Sequence, residues 1–229
     1  MALDQVGQKE AAARRALEEV RDGMALGLGS GSTAEVFVRL LGDRVRAGLR
    51  VIGVPTSEAT ADLARRLGIP LVDRDEVPAL DLDVDGADEV DPEGRLLKGL
   101  GGALLREKIV ASAARRLVVV VDESKLVGRL GERAALPVEV VRFGWRRAEA
   151  ALRACGASTA LRGGPADPFL TDGGNLILDC RFPAGADLPA LAARCKALVG
   201  VVEHGLFPAA RPTVCIGRAS GDVEVRRGA

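Results

Sequence analysis

The distribution of apolar residues predicts an α/β protein: a Rossmann-like, mainly parallel sheet with helices on both faces, plus an inserted ferredoxin-like α+β lobe. Three observations carry this prediction. Short apolar runs alternate with helices of about 10–15 residues through the first half of the chain, the rhythm of βαβ units. The run Leu117-Val-Val-Val-Val121 is apolar throughout, as a parallel strand buried on both faces must be. From about Gly131 the order becomes β-α-β-β-α-β, that of the ferredoxin-like sandwich. The expected division is residues 1–130 with 205–229 as the α/β domain and residues 131–204 as the lobe.

In chain order, residues 4–21 read as a helix with Val6, Ala13, Leu17 and Val20 on one stripe and Gly23 at its end. Lys9, on its first turns, reads from spacing alone as a solvated charge. Met24 to Leu28 form a strand that runs into Gly27-Leu-Gly-Ser-Gly-Ser-Thr33-Ala34 and a helix carrying Val36, Phe37, Leu40 and Leu41. Strand, glycine turn and helix together aim backbone amides and a helix dipole at an anion, so this is a phosphate-cradle candidate. The spacing is G-x-G-x-G, and the second strand, Val51-Ile-Gly-Val-Pro, ends in Thr56-Ser57 where a dinucleotide site requires an acid. A Walker loop requires a lysine that is absent. A capping box, Ser32-Thr-Ala-Glu35, accounts for Ser32 and Glu35 without a ligand, but not for Ser30 or the three glycines.

A helix from Ser57 to Leu67, stopped by Gly68, a strand Ile69 to Val72 and an acidic strand Leu80 to Val84 come next. Leu80, Leu82 and Val84 alternate with Asp81, Asp83 and Asp85, which sends three carboxylates to one face. Crowded carboxylates raise one another's pKa, so a strand ending Asp85-Gly-Ala-Asp88 belongs in water, on a cation or at a reaction centre. Leu96-Leu97 then leads to Lys98 and Gly99-Leu-Gly-Gly102, whose amides read as bare, and to a helix whose second turn carries Glu107. After the strand ending at Val121 comes Asp122-Glu-Ser-Lys125. Gly29, Asp85, Lys98 and Lys125 all fall at carboxyl ends of expected strands, where parallel sheets bind ligands.

In the second half, Pro137 to Val141 reads as a strand, Trp145 to Cys155 as a helix, and Thr159 to Arg162 and Asn175 to Phe182 as strands. Leu188 to Leu198 is a helix and Gly200 to Glu203 a strand. The strand-like tail, Thr213 to Gly217 and Val223 to Val225, is expected to rejoin the first sheet.

The 229 residues carry 32 basic and 32 acidic side chains, so no basic surface advertises nucleic acid or an anionic membrane. No stretch resembles a signal peptide or a membrane span, and the expected location is the cytoplasm. Four dispersed cysteines suggest neither zinc nor a disulfide framework. One histidine, His204, and no tyrosine exclude a histidine-pair mechanism, and His204 reads as structural. Only five of the basic residues are lysines, which makes one beside a glycine loop hard to dismiss as surface.

Asp81-x-Asp-x-Asp-Gly86 imitates half a calcium loop, but Pro92 stands where the bidentate glutamate belongs. Asp83-Val-Asp85-Gly resembles the start of haloacid-dehalogenase-type phosphatases, which use magnesium. A solvated edge strand is the structural alternative.

Taken together, Gly27-Leu-Gly-Ser-Gly-Ser-Thr-Ala, Asp85-Gly-Ala-Asp-Glu, Lys98-Gly-Leu-Gly-Gly-Ala-Leu-Leu-Arg-Glu107-Lys-Ile, Asp122-Glu-Ser-Lys125, Pro137-Val-Glu-Val, Thr171-Asp-Gly-Gly-Asn175 and Glu203-His-Gly-Leu-Phe207 resemble type A ribose-5-phosphate isomerases over essentially the whole chain. The resemblance implies that Glu107 is the base moving a proton between C1 and C2. It implies that Asp85 and Asp88, with Gly86 and Ala87 between them, hold sugar hydroxyls and help open the ring. It places Lys98 by the carbonyl oxygen with Gly99, Leu100 and Gly101. It gives Ser30, Gly31, Ser32 and Thr33 to substrate uptake, with Lys9 and Lys125 nearby. Two departures stand out: Ser30 replaces the usual threonine, and Pro208-Ala-Ala-Arg211 replaces a stretch that commonly begins Met-Ala. The implied reaction passes through an enediolate and requires a base and oxyanion donors, with no cofactor and no metal. The implied assembly is a homodimer or homotetramer. A magnesium-dependent sugar-phosphate phosphatase and a non-catalytic sugar-phosphate sensor are the alternatives.

Overall fold

The computed structural model describes residues 2–207 and 211–228. The departure at Pro208, Ala209 and Ala210 lies outside the described residues. In chain order the elements are α1 (Gln5–Leu17), β1 (Ala25–Leu28), α2 (Ser32–Arg46), β2 (Ile52–Pro55), α3 (Glu58–Arg66), β3 (Leu82–Asp85), β4 (Glu89–Val90), β5 (Leu96–Leu97), α4 (Leu104–Ala113) and β6 (Leu117–Asp122). They continue with β7 (Leu136–Val140), α5 (Trp145–Ala154), β8 (Ser158–Leu161), β9 (Leu176–Arg181), α6 (Leu188–Lys196), β10 (Val201–His204), β11 (Leu206–Phe207), β12 (Thr213–Gly217) and β13 (Val223–Arg227). Two compact units result: Met1–Ala87, Arg106–Leu126 and Ala210–Ala229 form the first, Asp88–Leu105 and Val127–Ala209 the second.

The first unit holds a six-stranded sheet in the order β13-β12-β6-β3-β1-β2, parallel except for the terminal β12–β13 hairpin. The tail thus rejoins the first sheet. Leu26, Leu28, Leu82, Val84, Val118 and Val120 point to one face and pack with Ala12, Ala13 and Ala16 of α1, Phe37 and Leu41 of α2, and Leu63 of α3. On the other face Val110 of α4 packs with Val54 and Leu80. Helices therefore cover both faces, and Val118 to Val121 are all buried, as an all-apolar central strand requires. The chain passes from β1 to β2 on one side and enters β3 on the other, so the strand order reverses between β1 and β3. The carboxyl ends of these two strands are a topological switch point, the usual place for a ligand in such a sheet.

Several expectations change here. The first helix stops at Leu17; Val20 is buried in the turn beyond it, and Val6 is 68% exposed, because the buried stripe runs through Gln8, Ala12, Ala13 and Ala16. Residues 69–72 make only an isolated bridge, Gly53 to Leu71. The acidic strand is central, not a solvated edge.

The second unit holds an antiparallel four-stranded sheet, β10-β7-β9-β8, and a three-stranded one, β11-β5-β4. Its core joins Val138, Val140 and Leu178 of the larger sheet to Leu152 of α5, Cys195 of α6, and Leu97 and Leu206 of the smaller sheet. The β-α-β-β-α-β order expected for the lobe is present from β7 to β10. The unit is larger than residues 131–204, however. Strands β4 and β5 pair with β11, Val127 donates to the Val90 carbonyl at 3.0 Å, and Glu89 accepts the amides of Gly131, Arg133 and Ala134. These bonds fasten the segment after Asp88 to the second unit. Lys98 therefore follows a strand of the small antiparallel sheet, not of the parallel one.

Candidate active site

In the first unit the site is built on the switch point. Gly29 donates to the Val84 carbonyl at 2.9 Å and Ser30 to Asp85 Oδ1 at 3.0 Å, so the loop after β1 lies against the end of β3. A Cβ on Gly29 would stand 2.2 Å from Asp85 Oδ1 and 2.4 Å from its Cα, which leaves room for no other residue. Asp85, 1% exposed, also accepts the Gly86 amide at 2.7 Å, so one carboxylate oxygen organises two backbone turns. The Ser30 hydroxyl lies 2.7 Å from both Thr56 Oγ1 and Ser57 Oγ, and Thr60 Oγ1 donates to the Gly29 carbonyl at 3.0 Å. The hydroxyls at the end of β2, read only as a missing acid, are in fact the scaffold of the loop.

The capping box does not form. Gly31, at φ 91°, is the residue before α2; no side chain caps this helix start, and Ser32 is its first residue. Its first amides have no acceptor within the helix, and Thr33 is buried among them. Lys9, which reads as solvated from spacing alone and which the family resemblance sets near the substrate, reaches across from α1 and donates to Ser32 Oγ at 2.9 Å. A cation at the positive end of a helix has the wrong sign for the helix and the right sign for an anion bound there. Gln5, one turn before Lys9 on the same face, donates to Asp122 Oδ1 and Ser124 Oγ, both at 3.3 Å. Asp122 also accepts the Ser124 amide at 3.0 Å and so starts the 3-10 turn Glu123–Lys125. Burial pushes the Asp122 carboxyl up, but hydrogen bonds from Ser124 and Gln5 and the Lys125 charge outweigh it and hold it below its ordinary value. Helix α1 thus braces the turn that carries Lys125.

Glu107 lies in the first turn of α4, not the second, because that helix begins at Leu104. It is 5% exposed. Leu80, just before β3, donates to the carbonyl of Ala113, the last residue of α4, at 2.9 Å. Val110 instead lies over Gly27, where a Cβ would stand 2.6 Å from Val110 Cγ1 and 2.4 Å from Asp83 Oδ1. The helix therefore runs antiparallel to β3. Glu107, about 4.5 Å nearer the helix start on the same face, is carried toward the strand end that bears Asp85. Asp83 is fully buried beneath Gly27, so of the settings expected for the acidic face (water, a cation or a reaction centre) it does not occupy the first.

In the second unit, Asp88 Oδ2 accepts the Leu100 amide at 2.9 Å. Lys98 is 3% exposed; its amide donates to the Gly205 carbonyl at 2.8 Å and its ammonium lies 5.7 Å from the Phe207 ring centroid. The amides from Gly99 to Gly102 are not all bare as expected: Leu100 serves Asp88, and Gly102 donates to the Gly99 carbonyl at 3.0 Å. His204 is structural, its Nδ1 accepting the Leu206 amide at 3.2 Å.

A family model described as Ribose 5-phosphate isomerase A (phosphoriboisomerase A) matches residues 52–221. The chain belongs to the ribose 5-phosphate isomerase A family. Ribose-5-phosphate isomerase A of Bradyrhizobium diazoefficiens is 56% identical over 218 residues, covering 90% of this chain and 89% of that protein. The protein of the same name from Thermomicrobium roseum is 55% identical, over 93% and 91%. Among solved structures, a D-ribose-5-phosphate isomerase in complex with phospho-erythronic acid is similar with a TM-score of 0.93 at 38% identity, covering 98% of this chain and 100% of that one. Ribose 5-phosphate isomerase A of Methanocaldococcus jannaschii gives 0.91 at 40% identity, over 98% and 100%. The family's α/β fold is the fold described above.

Proposed function

We propose that this chain interconverts D-ribose 5-phosphate and D-ribulose 5-phosphate, a step of the non-oxidative pentose phosphate pathway, through an enediolate and without metal. The observation that carries the reading is Glu107: a carboxylate 5% exposed on the face of α4 turned to the sheet, one turn from Val110 and carried toward the Asp85 end of β3. Such a group is placed to work as a base, not to solvate a helix. Membership of the isomerase family supports the same reading, and the relatives' names offer nothing to the phosphatase or the sensor.

In this mechanism Asp85 and Asp88 hold the sugar hydroxyls and assist ring opening. Glu107 takes the proton from C2 of the open aldose and returns it to C1, while the hydroxyl proton of O2 passes to O1 and the carbonyl moves from C1 to C2. Negative charge grows on the carbonyl oxygen meanwhile, and the Lys98 ammonium with the Gly99 to Gly101 backbone steadies it. Lys9, Lys125 and the Ser30 to Thr33 turn bind the phosphate. Removing a positioned base costs on the order of 10² to 10⁴ in rate, which sets the test. Ketose formation is measured in excess EDTA for the wild type and Glu107→Gln. The wild type is expected to be unaffected by EDTA and the variant to lose at least about a hundredfold; EDTA-sensitive turnover, or an undiminished variant, refutes the mechanism.

The same reading places the enzyme in the cytoplasm as a homodimer or homotetramer. No helix among the described residues is long and apolar enough to cross a membrane. Light scattering tests the assembly, and the mass of a single chain overturns it.

A further inference from the structure

The loop from Lys98 to Gly102 is held by a side chain far away in sequence. Arg162, just after β8, donates from Nη1 to the carbonyls of Gly99 and Leu100, each at 2.9 Å. Its Nε donates to Asp179 Oδ2 at 3.0 Å and its Nη2 to Asp179 Oδ1, a two-pronged ion pair with β9. The guanidinium also lies 5.8 Å from the ring centroid of Phe169. That ring covers Gly102 so closely that a Cβ there would stand 2.4 Å from Cζ. A planar guanidinium makes all these contacts at once; an ammonium lacks the geometry.

The consequence follows from the trans peptide. In a planar trans amide the C=O and the following N–H point in opposite directions. With the carbonyls of Gly99 and Leu100 both turned to Arg162, the amides of Leu100 and Gly101 both point away from it. The Leu100 amide does so onto Asp88 Oδ2 at 2.9 Å. We propose that Arg162 is a positioning residue of the isomerase: it sets the plane of these two peptides, and so the placement of Asp88 and of the loop that begins at Lys98. This rests on the reading above, in which that loop works at the sugar carbonyl.

The test uses Arg162→Ala and Arg162→Lys in the full chain, assayed well below their melting temperatures. A loop displaced by about 1 Å costs on the order of 10² in rate, so kcat is expected to fall about a hundredfold in Arg162→Ala while KM changes less than about threefold. Guanidinium at millimolar concentration is expected to restore kcat at least about tenfold in Arg162→Ala and not in Glu107→Gln, a rescue that loss of stability alone would not show. Arg162→Lys, which keeps the charge and loses the fork, is expected to remain impaired. Amide hydrogen exchange of the ligand-free protein gives a readout independent of turnover: Leu100 is expected to exchange at least about tenfold faster in Arg162→Ala, with Ile177 and Leu178 of β9 unchanged. A kcat per folded molecule within about twofold of the wild type, or unchanged exchange at Leu100, overturns the proposal. If the wild type fails to isomerise, the proposed function falls, and the exchange measurement still decides whether Arg162 sets the loop.

Discussion

Lys9 in α1 donates to the hydroxyl of Ser32, the first residue of α2, across 2.9 Å. The ammonium stands at the positive end of the α2 dipole, an unfavourable place for the helix alone and a favourable one for the phosphate that the proposed function seats there. Phosphate lies away from the reacting carbons and is held alike in ground and transition states. Lys9→Ala is therefore expected to raise KM for the sugar phosphate about tenfold with kcat within about twofold. Ligand-free stability is expected to stay level or rise by up to about 1 kcal/mol. Initial rates and thermal melts with and without inorganic phosphate check both; a fall in kcat at constant KM would count against the assignment.

Asp85 separates structure from chemistry in a way two substitutions can read. Its Oδ1 accepts the amides of Ser30 and Gly86, and an asparagine keeps an oxygen there. Asp85→Asn is expected to lose activity by about a hundredfold or more, with stability within about 1 kcal/mol of the wild type. Asp85→Ala leaves both amides unserved at a cost of about 1–3 kcal/mol each, so its urea midpoint is expected to drop as well. Equal melting losses in the two variants would show that the charge, not the acceptor, holds the loop.

How legible these features are in sequence depends on how local their causes are. Strands β1, β3 and β6 announce themselves through period and apolar run length, and the glycines after β1 through their spacing, because each signal lies within one element. The role of Lys9 does not: its partner Ser32 lies 23 positions away, and from its own helix it looks solvated. The two-residue strands β4 and β5 are too short to carry a period, so nothing local says that they join the second unit. Asp83 misleads because its alternation copies a half-exposed strand, whereas Gly27 on the neighbouring strand leaves room for its carboxylate inside. Arg162 is one arginine among 27, and its partners on the loop lie 62 and 63 positions away.

Glu19 supplies a pH dependence of stability. Hydrogen bonds from Arg116 and Arg15 pull its carboxyl below the ordinary value of 4.5, against a smaller push from burial. A carboxyl depressed in the folded state contributes stability above its unfolded pKa and loses it as pH falls through the folded one. Arg116 is half exposed, so the contribution is screened to about 1 kcal/mol. Glu19→Gln is expected to melt earlier at pH 7, and the gap to the wild type is expected to close as pH falls from about 4.5. Melts between pH 3 and pH 7 test it; a gap that widens toward acid reverses the sign and rules the pairing out.

The cysteines provide a check on the core. Burial pushes the Cys180 thiol up to about 12 and those of Cys195 and Cys215 up to about 11. A thiol attacks as its thiolate, so at pH 8 these three are closed to reagent both by access and by protonation. Cys155, at the end of α5, is only partly buried. In the native protein a chromogenic disulfide reagent is therefore expected to titrate one thiol promptly, and all four after denaturation in guanidinium. Cys155→Ser is expected to abolish the prompt phase without altering ketose formation. Two or more prompt thiols in the folded wild type would mean that the packing of β9, α6 or β12 is looser than their burial indicates.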